Sequence, residues 1–189
     1  MKIESDIDID FADREQVLAL IEYIPAAMRK VIPMRKHNTG VHTTEIPYDP
    51  IHNMAAIDYK EAEKRGYFKL DLLNVHVYSK VKSEQHLIDL MKDPDWSMLN
   101  SRPFVEKLIH LNSQYDIIQK MPEPIDSVVR LAMFLAVIRP AKRHLIGKTW
   151  SEINKTVWDK DTTGYSFKKS HAIAYAHLVV VHMNLMAEE

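Results

Sequence analysis

Residues 2–11 read KIESDIDIDF, a stretch that alternates strictly between two classes of side chain. The odd positions are apolar apart from one serine, and they are Ile3, Ser5, Ile7, Ile9 and Phe11. The even positions are charged, and they are Lys2, Glu4, Asp6, Asp8 and Asp10. Because successive side chains of a β-strand point to opposite faces, this period of two predicts a strand with one buried face and one acidic face.

The segments that follow predict a helix and then a loop. Asp13 is placed to cap the N-terminus of a helix that runs to about Lys30. The apolar stripe expected on that helix consists of Val17, Leu18, Ile21 and Ile24. Residues 35–50 are polar and punctuated by Gly and Pro, and this composition is typical of a loop.

Two short strands are predicted next, at residues 54–58 and 67–73. A charged helical turn, KEAEKRG, separates them and ends at Gly66. Beyond Asn74 the apolar spacing is helical, with interruptions at KDPDW, MPEP and DTTGYS. Strands therefore come first and helices afterwards, an order that favours the α+β class.

The composition excludes several classes of protein. With 189 residues the chain fits one domain, or a domain with a small subdomain. No apolar run approaches the roughly 20 residues of a membrane span, and the acidic start lacks a signal-peptide pattern. The absence of cysteine excludes disulfides, thiolate nucleophiles and cysteine zinc sites. We therefore expect a cytoplasmic protein with no membrane partner.

Charge is distributed unevenly along a chain whose net charge is −1. Residues 1–30 carry seven acidic against four basic residues, whereas residues 139–169 carry eight Lys or Arg against three acids. An acidic segment and a basic segment suit a metal site and a phosphate site. Uneven charge without a function is the alternative, since it is common in small domains.

The acidic face of the first predicted strand is open to two interpretations. Asp6, Asp8 and Asp10 would lie roughly 7 Å apart and repel one another. A divalent cation that prefers oxygen ligands, Mg²⁺ or Mn²⁺, would supply the missing positive charge. The alternative is a solvated edge strand, on which acidic residues deter aggregation.

Asp71 favours the metal. It stands in GYFKLDLLNV, an otherwise apolar predicted strand, where a lone aspartate is costly unless it is paired or binds a metal. Two carboxylates on one strand and a third on a neighbouring strand form the arrangement that two-metal phosphoryl transfer requires.

Both acidic segments resemble motifs of the bacterial DNA polymerase III alpha subunit, the C family of DNA polymerases. SDIDIDF resembles the family's PDFDVDF motif, and FKLDLLN resembles its KFDFLG segment. The resemblance implies that Asp6, Asp8 and Asp71 are catalytic and hold two Mg²⁺ ions, with Mn²⁺ as a substitute. It also places Asp10 on a further acid of the motif and Lys69 on the family's lysine, as a nucleotide contact.

Two more segments resemble the same family in the same order. TGVHTTEIP resembles the family's GVHAGG segment and places His42 on its histidine. LAMFLAVIRP resembles the family stretch that ends in LVALFRPG, which places Arg139 on the arginine of an Arg-Pro pair. For His42, a structural histidine is the alternative.

The segment TGYSFKKSHAIAYA closely resembles the family's AGYGFNKSHAAAYA. It places Lys169, Ser170, His171 and Tyr175 at matching positions, which implies contacts with the triphosphate of a nucleotide. Cationic and polar donors at a helix start suit a phosphate, with Ser170 as the N-cap. A solvated turn with an ordinary cap is the alternative.

Between these segments, residues 141–158 predict one basic helix. Lys142 and Arg143 on it are expected to contact nucleotide or nucleic-acid phosphates. Trp150 or Trp158 could stack on a base, and burial in the core is the alternative for both.

The resemblance implies a polymerase beta-like nucleotidyltransferase palm, a small mixed sheet with the metal site, at residues 1–95. A mostly helical fingers-like region follows at residues 96–189, and a single compact domain is the alternative. The implied activity is template-directed addition of dNTPs to a primer 3′ end. Template-independent nucleotidyl transfer is one alternative, and a catalytically inactive relative that binds DNA or a replisome component is another.

The implied partners are primer-template DNA and dNTPs, with a replication protein as a further candidate. The family's alpha subunits are several times longer, so we expect weak DNA binding and slow, distributive synthesis. Such compaction suits a viral or mobile-element genome, in which case the compartment is the host cytoplasm.

Overall fold

The computed structural model describes residues 6–28, 34–160 and 164–188, with the side chain of Asp6 outside the description. The chain divides into two compact units, Met1–Val81 and Lys82–Glu189. The first unit holds a small mixed sheet and the second is helical, so the predicted α+β class is confirmed.

The first unit is built on a four-stranded sheet in the order β1-β6-β3-β2. Its strands are β1 (Asp6–Phe11), β2 (Ile24–Met28), β3 (Arg35–His42) and β6 (Lys69–Asn74). The pair β1 and β6 is parallel, whereas β3 pairs antiparallel with both β6 and β2. A two-residue hairpin and two short helices complete the unit: β4 (Tyr48–Asp49), β5 (Met54–Ala55), α1 (Arg14–Leu18) and α2 (Tyr59–Lys64).

Strand β1 forms over the described part of the predicted segment, with residues 2–5 outside the description, but its apolar face is not buried. Ile7 is 46% exposed and Ile9 is 36% exposed. The strand lies at the edge of the sheet. Its residue Phe11 packs against a small apolar cluster of Leu18, Val41 and Leu72. Helix α1 has five residues, which is too short to cover the rest of that face.

The long helix predicted to run to Lys30 is wrong. Asp13 does cap α1, because its carboxylate accepts the N–H of Glu15 at 3.0 Å, but the helix ends at Leu18. Strand β2 follows, and it contains Pro25, which lacks the N–H that a helix interior would need. Sheet pairing has overridden the helical spacing of the apolar residues in this stretch.

The loop predicted at residues 35–50 is also wrong over its first half, which forms β3. This strand is polar at its start, where its residues are exposed or half-buried, and it is buried at Gly40, Val41 and His42. Its position between β6 and β2 supplies the backbone hydrogen bonds that its composition does not suggest.

The remaining predictions for this unit are confirmed in outline. Strand β5 falls within the first predicted segment, β6 overlaps the second and ends one residue beyond it, and α2 forms between them. Gly66 follows that helix with a φ of 86°, a left-handed conformation that favours glycine.

The second unit consists of short helices around two longer ones. They are α3 (Glu84–Leu90), α4 (Arg102–Val105), α5 (Tyr115–Ile118), α6 (Val128–Val137), α7 (Trp150–Thr156) and α8 (Lys169–Ala187). Every residue of α6 from Leu131 onward is buried, so this helix runs through the core and packs on α8.

The single basic helix predicted at residues 141–158 is wrong. A 3₁₀ turn at Pro140–Leu145 is separated from α7 by Gly147, whose φ is 83°. Trp150 is 5% exposed and its indole N–H donates to the carbonyl of Pro124 at 3.1 Å, so it belongs to the core. Within the described ranges, no helix is long and apolar enough to cross a membrane.

Candidate functional site

The register of β1 and β6 places acidic residues side by side on one face of the sheet. Asp8 is the Cα partner of Asp71, and Asp6 is the partner of Lys69. Neighbouring strands lie about 4.8 Å apart, and paired residues of parallel strands project to the same face. Two of the three predicted metal ligands, Asp8 and Asp71, are thus next to each other. The carboxylate of Asp6, the third, lies outside the described side chains.

Asp71 is buried, and two side chains donate hydrogen bonds to its carboxylate. The hydroxyl of Thr39 donates to its Oδ1 at 2.8 Å, and the ammonium of Lys69 donates to its Oδ2. His37 Nδ1 lies 3.6 Å from Oδ1. Burial alone would raise the pKa of this carboxyl, but the donors, led by Lys69 and then Thr39, hold its pKa below the ordinary value. Asp71 is therefore ionised at neutral pH.

Gly40 allows Lys69 to reach Asp71. It is the Cα partner of Asp71 on β3, and a Cβ added to it would lie 2.9 Å from Cδ of Lys69. The same atom would lie 3.0 Å from Nδ1 of His37 and 3.2 Å from Cβ of Ala26. The requirement for glycine at this position is one of space. It is not one of conformation, because the backbone of Gly40 is in a region that other residues also adopt.

Replacing Gly40 with alanine is expected to lower the free energy of unfolding by about 1–3 kcal/mol, the usual cost of overpacking. The crowded neighbours include the tightly packed Ala26, which cannot move aside. Urea denaturation followed by circular dichroism measures the loss. Gly164→Ala is the matched control, since its Cβ would meet its nearest atom at 3.4 Å, and we expect a change within about 0.5 kcal/mol. Equal stability of the two variants would contradict the packing described for Gly40.

Asp8 and Asp10, the described acids of β1, differ from Asp71 of β6 in their surroundings. Asp8 is exposed and Asp10 is half-buried. Burial raises the pKa of the Tyr78 phenol, and the negative charge of Asp10 raises it further, so Asp10 lies near that ring. Asp10 thus belongs to the end of the strand next to Tyr78, beyond the pair of Asp8 and Asp71.

His42 lies on the neighbouring strand β3 and is 1% exposed. Its Nδ1 is 2.7 Å from the carbonyl oxygen of Phe68; a carbonyl can only accept, so Nδ1 carries the hydrogen. Burial lowers the pKa of this imidazole, and the charge of Lys69 lowers it further. His42 is therefore a neutral side chain tied to the start of β6.

The donors on this sheet face suit a hard divalent cation. Carboxylate oxygens are the ligands that Mg²⁺ and Mn²⁺ prefer, and Asp8 and Asp71 supply them. Among the side chains that the structure describes, which do not include that of Asp6, no group of three or more His, Asp or Glu is close enough to hold a metal. Two described carboxylates and the predicted third are the residues that would hold the ion.

In the second unit, Arg139 lies against an aromatic cluster formed by His110, Tyr165, Phe167, His171 and Tyr175. Its Cζ is 3.8 Å from the ring centroid of Phe167. Phe167 in turn stacks on Tyr175 with centroids 5.5 Å apart. His171 contacts the same two rings, at 6.3 Å and 5.8 Å between centroids. The structure thus brings together three predicted nucleotide contacts: Arg139, His171 and Tyr175.

Helix α8 begins at this cluster and contributes His171 and Tyr175 to it. Lys169 and Ser170 are its first two residues and both are exposed. The N-cap is Lys168, without a side-chain capping bond, so the predicted N-cap role of Ser170 is wrong. Ser170 lies within the first turn, where backbone N–H groups favour an anion.

Lys142 and Arg143 both bind backbone carbonyls. Lys142 is 4% exposed, and its ammonium donates to the carbonyl of Thr156 at 2.9 Å. Thr156 is the last residue of α7, where a cation also meets the negative end of the helix dipole. Arg143 is exposed, and its Nε donates to the carbonyl of Ile138 at 3.3 Å. These positions favour a structural role for Lys142.

Lys142→Met is expected to lower the free energy of unfolding by about 1–3 kcal/mol, because the hydrogen bond from the charged ammonium to the carbonyl of Thr156 is lost. Affinity for inorganic tripolyphosphate should stay within about twofold. Chemical denaturation and calorimetric titration measure the two effects. Lys155→Met, at an exposed position of α7, is the control for loss of charge. A stable Lys142→Met protein with weakened tripolyphosphate binding would instead favour the phosphate contact predicted from the sequence.

Comparison with known proteins gives no assignment. The chain has no significant match among protein-family models, curated proteins or solved structures. The likeness to C-family polymerase motifs therefore stays a prediction that rests on the quoted residues.

Several residues of these two regions escaped the sequence analysis. Thr39 and His37 contact Asp71, but they lie in the segment predicted as a loop, so nothing in the sequence brought them to β6. Tyr165 and Phe167 lie within a segment that was singled out for other residues. His110 carries no sequence signal, because its contact with Tyr175 joins parts of the chain far apart in sequence.

Proposed function

We propose that the chain is a magnesium-dependent nucleotidyltransferase that adds dNTPs to a primer 3′ end, as a minimal DNA polymerase core. The observation that carries the proposal is the register of β1 and β6, which sets Asp8 beside the buried Asp71. Like charges on neighbouring strands repel, and a divalent cation bound to both carboxylates would offset that repulsion.

Each group has a role in this proposal. Asp6, Asp8 and Asp71 would hold the metal, and Lys69 and Thr39 orient the Asp71 carboxylate. When bound, magnesium lowers the pKa of a 3′-hydroxyl and neutralises the charge of a triphosphate.

The second unit supplies the cationic groups that a triphosphate requires. Arg139 presents a half-buried guanidinium against aromatic rings, and Lys169 and His171 stand in the first turn of α8. Guanidinium groups bind phosphate oxygens with two parallel hydrogen bonds, and a helix start adds backbone donors. In this proposal these residues of the second unit bind the phosphate oxygens of the triphosphate.

Primer extension tests the proposal. A labelled primer is incubated with dNTPs and Mg²⁺ or Mn²⁺, with and without a template strand, using the wild type and the Asp8→Asn variant. Replacement of Asp8 should abolish extension, because a proposed metal ligand is lost. The fold should stay intact, because Asp8 is exposed. Asp93→Asn, at an exposed position of the second unit, is the matched control.

The arms of this assay separate the alternatives. Extension that needs the template supports a polymerase, and extension without it supports a template-independent transferase. Equal extension by the wild type and Asp8→Asn would exclude the metal site. A wild type that binds DNA and never extends a primer would identify the inactive relative.

A further inference from the structure

His110 has an unusual backbone and an unsatisfied side chain. Its φ is 62°, in the left-handed region that non-glycine residues seldom occupy and that costs of order 1 kcal/mol. Its ring lies 4.4 Å from the ring of Tyr175, between centroids, at an angle of 55°. Its Nε2 is buried and has no hydrogen-bond partner among the residues that the structure describes. A buried polar nitrogen without a partner is uncommon, and a strained residue is typical of functional sites.

Arg139 has the same deficiency nearby. Its Nε is buried without a hydrogen-bond partner, and no described carboxylate forms an ion pair with it. Burial lowers the pKa of its guanidinium, with the phenols of Tyr165 and Tyr175 opposing that change. A guanidinium stays charged in proteins, so this half-buried cation lacks a compensating anion within the described part of the chain.

The two groups are close to each other. Burial lowers the pKa of His110, and the positive charge of Arg139 lowers it further. Both also contact the same stacked pair of rings, Arg139 through Phe167 and His110 through Tyr175. Among the described residues, these two nitrogens have no hydrogen-bond partner and the guanidinium has no paired anion, which indicates an anionic ligand with oxygen acceptors.

We propose that His110 and Arg139 together bind a phosphate group, with His110 donating from Nε2 and Arg139 supplying the charge. This inference rests on the proposed function, in which the phosphate belongs to a dNTP, and a phosphate of the DNA backbone has the same chemistry. His110 is then a binding residue contributed by the turn after α4, in addition to the residues at the start of α8.

The test is calorimetric titration in metal-free buffer with two probes, inorganic tripolyphosphate and a short single-stranded oligonucleotide. His110→Asn should weaken binding by about tenfold to a hundredfold, because asparagine tolerates the left-handed conformation but its amide is too short to replace Nε2. His110→Gln, whose amide reaches further, should restore most of the affinity. His144→Asn, at an exposed histidine of the same unit, should bind as the wild type does.

His110→Gly separates binding from folding, since glycine is unstrained at this φ and also lacks the donor. Loss of affinity in the Asn and Gly variants, both with wild-type circular dichroism, supports the proposal. Loss for tripolyphosphate assigns the phosphate to a nucleotide, and loss for the oligonucleotide alone assigns it to DNA.

Two results would overturn the proposal. One is unchanged affinity of the Asn and Gly variants for both probes, and the other is a wild type that binds neither probe. Because the titration needs no metal and no turnover, primer extension that depends on Asp8 could still succeed in either case. Failure of this inference is therefore distinguishable from failure of the proposed function.

Discussion

Asp71→Asn is expected to lower the rate of nucleotidyl transfer at least about a thousandfold. A metal contributes several kcal/mol of transition-state stabilisation, and each 1.4 kcal/mol is roughly tenfold in rate. Asparagine keeps an oxygen that can accept the Thr39 hydroxyl, but it removes the negative charge that the cation and Lys69 both require. Single-turnover primer extension with saturating dNTP and Mg²⁺ measures the effect.

The control for this variant must separate chemistry from folding, because Asp71 is buried and paired. Asp8→Asn removes the neighbouring carboxylate at an exposed position, so it should lose activity without losing stability. If Asp71→Asn retained more than about a tenth of the wild-type rate, Asp71 would not be a metal ligand. A variant that unfolds would show this in circular dichroism, and the Asp8→Asn result would then decide the metal assignment.

Breaking the pair of Lys69 and Asp71 is expected to produce the largest loss of stability. Lys69 is 9% exposed and Asp71 is 7% exposed, and removing one partner leaves the other charge buried and uncompensated. Such losses cost about 3–5 kcal/mol. Lys69→Met should therefore lower the free energy of unfolding by about that amount, measured by urea denaturation.

A double-mutant cycle tests whether the pair itself is responsible. Lys69→Met combined with Asp71→Leu removes both charges, and we expect it to be more stable than Lys69→Met alone. Lys64→Met, at an exposed lysine of the same unit, controls for the loss of one positive charge. If the double variant were as unstable as the sum of the two single variants, the two side chains would not depend on each other.

The pair also bears on how the acidic face functions. The ammonium of Lys69 donates to Oδ2 of Asp71, and the hydroxyl of Thr39 donates to Oδ1, so both oxygens of this carboxylate are engaged. Asp8, its neighbour in the register, is exposed. We therefore expect a divalent cation to compete with Lys69 for the carboxylate of Asp71.

Much of the fold could be predicted where a residue pattern fits only one type of secondary structure. The alternation of residues 6–11 identified β1, and the side-chain chemistry of Asp13 identified the start of α1. The stretch from Leu20 to Met28 was misread, because isolated apolar residues fit a helical spacing as well as a strand. Strand β3 was missed since its polar half is exposed and its hydrogen bonds come from its neighbours.

The candidate site divides in the same way. The carboxylates of Asp8 and Asp71 stood out because charge on regular strands is costly, and that cost can be read locally. The contacts of Thr39 and His37 with Asp71 could not be read, because they depend on which strand lies next to β6. The cluster around Arg139 likewise joins His110 to residues about 30 and 65 positions further along the chain.

By itself, the sequence determined the chemistry of this protein: acidic residues on a strand, an aspartate within an apolar strand, and a basic segment before a helix. The period of a pattern and the chemistry of its side chains are local properties, so both can be read from the sequence without a structure. Tertiary structure alone decided that Asp8 and Asp71 are register partners, that Lys142 binds a helix end, and that His110 lies beside Tyr175. Strand pairing and packing decide such contacts, because they bring together residues whose separation along the chain carries no information about their distance in space.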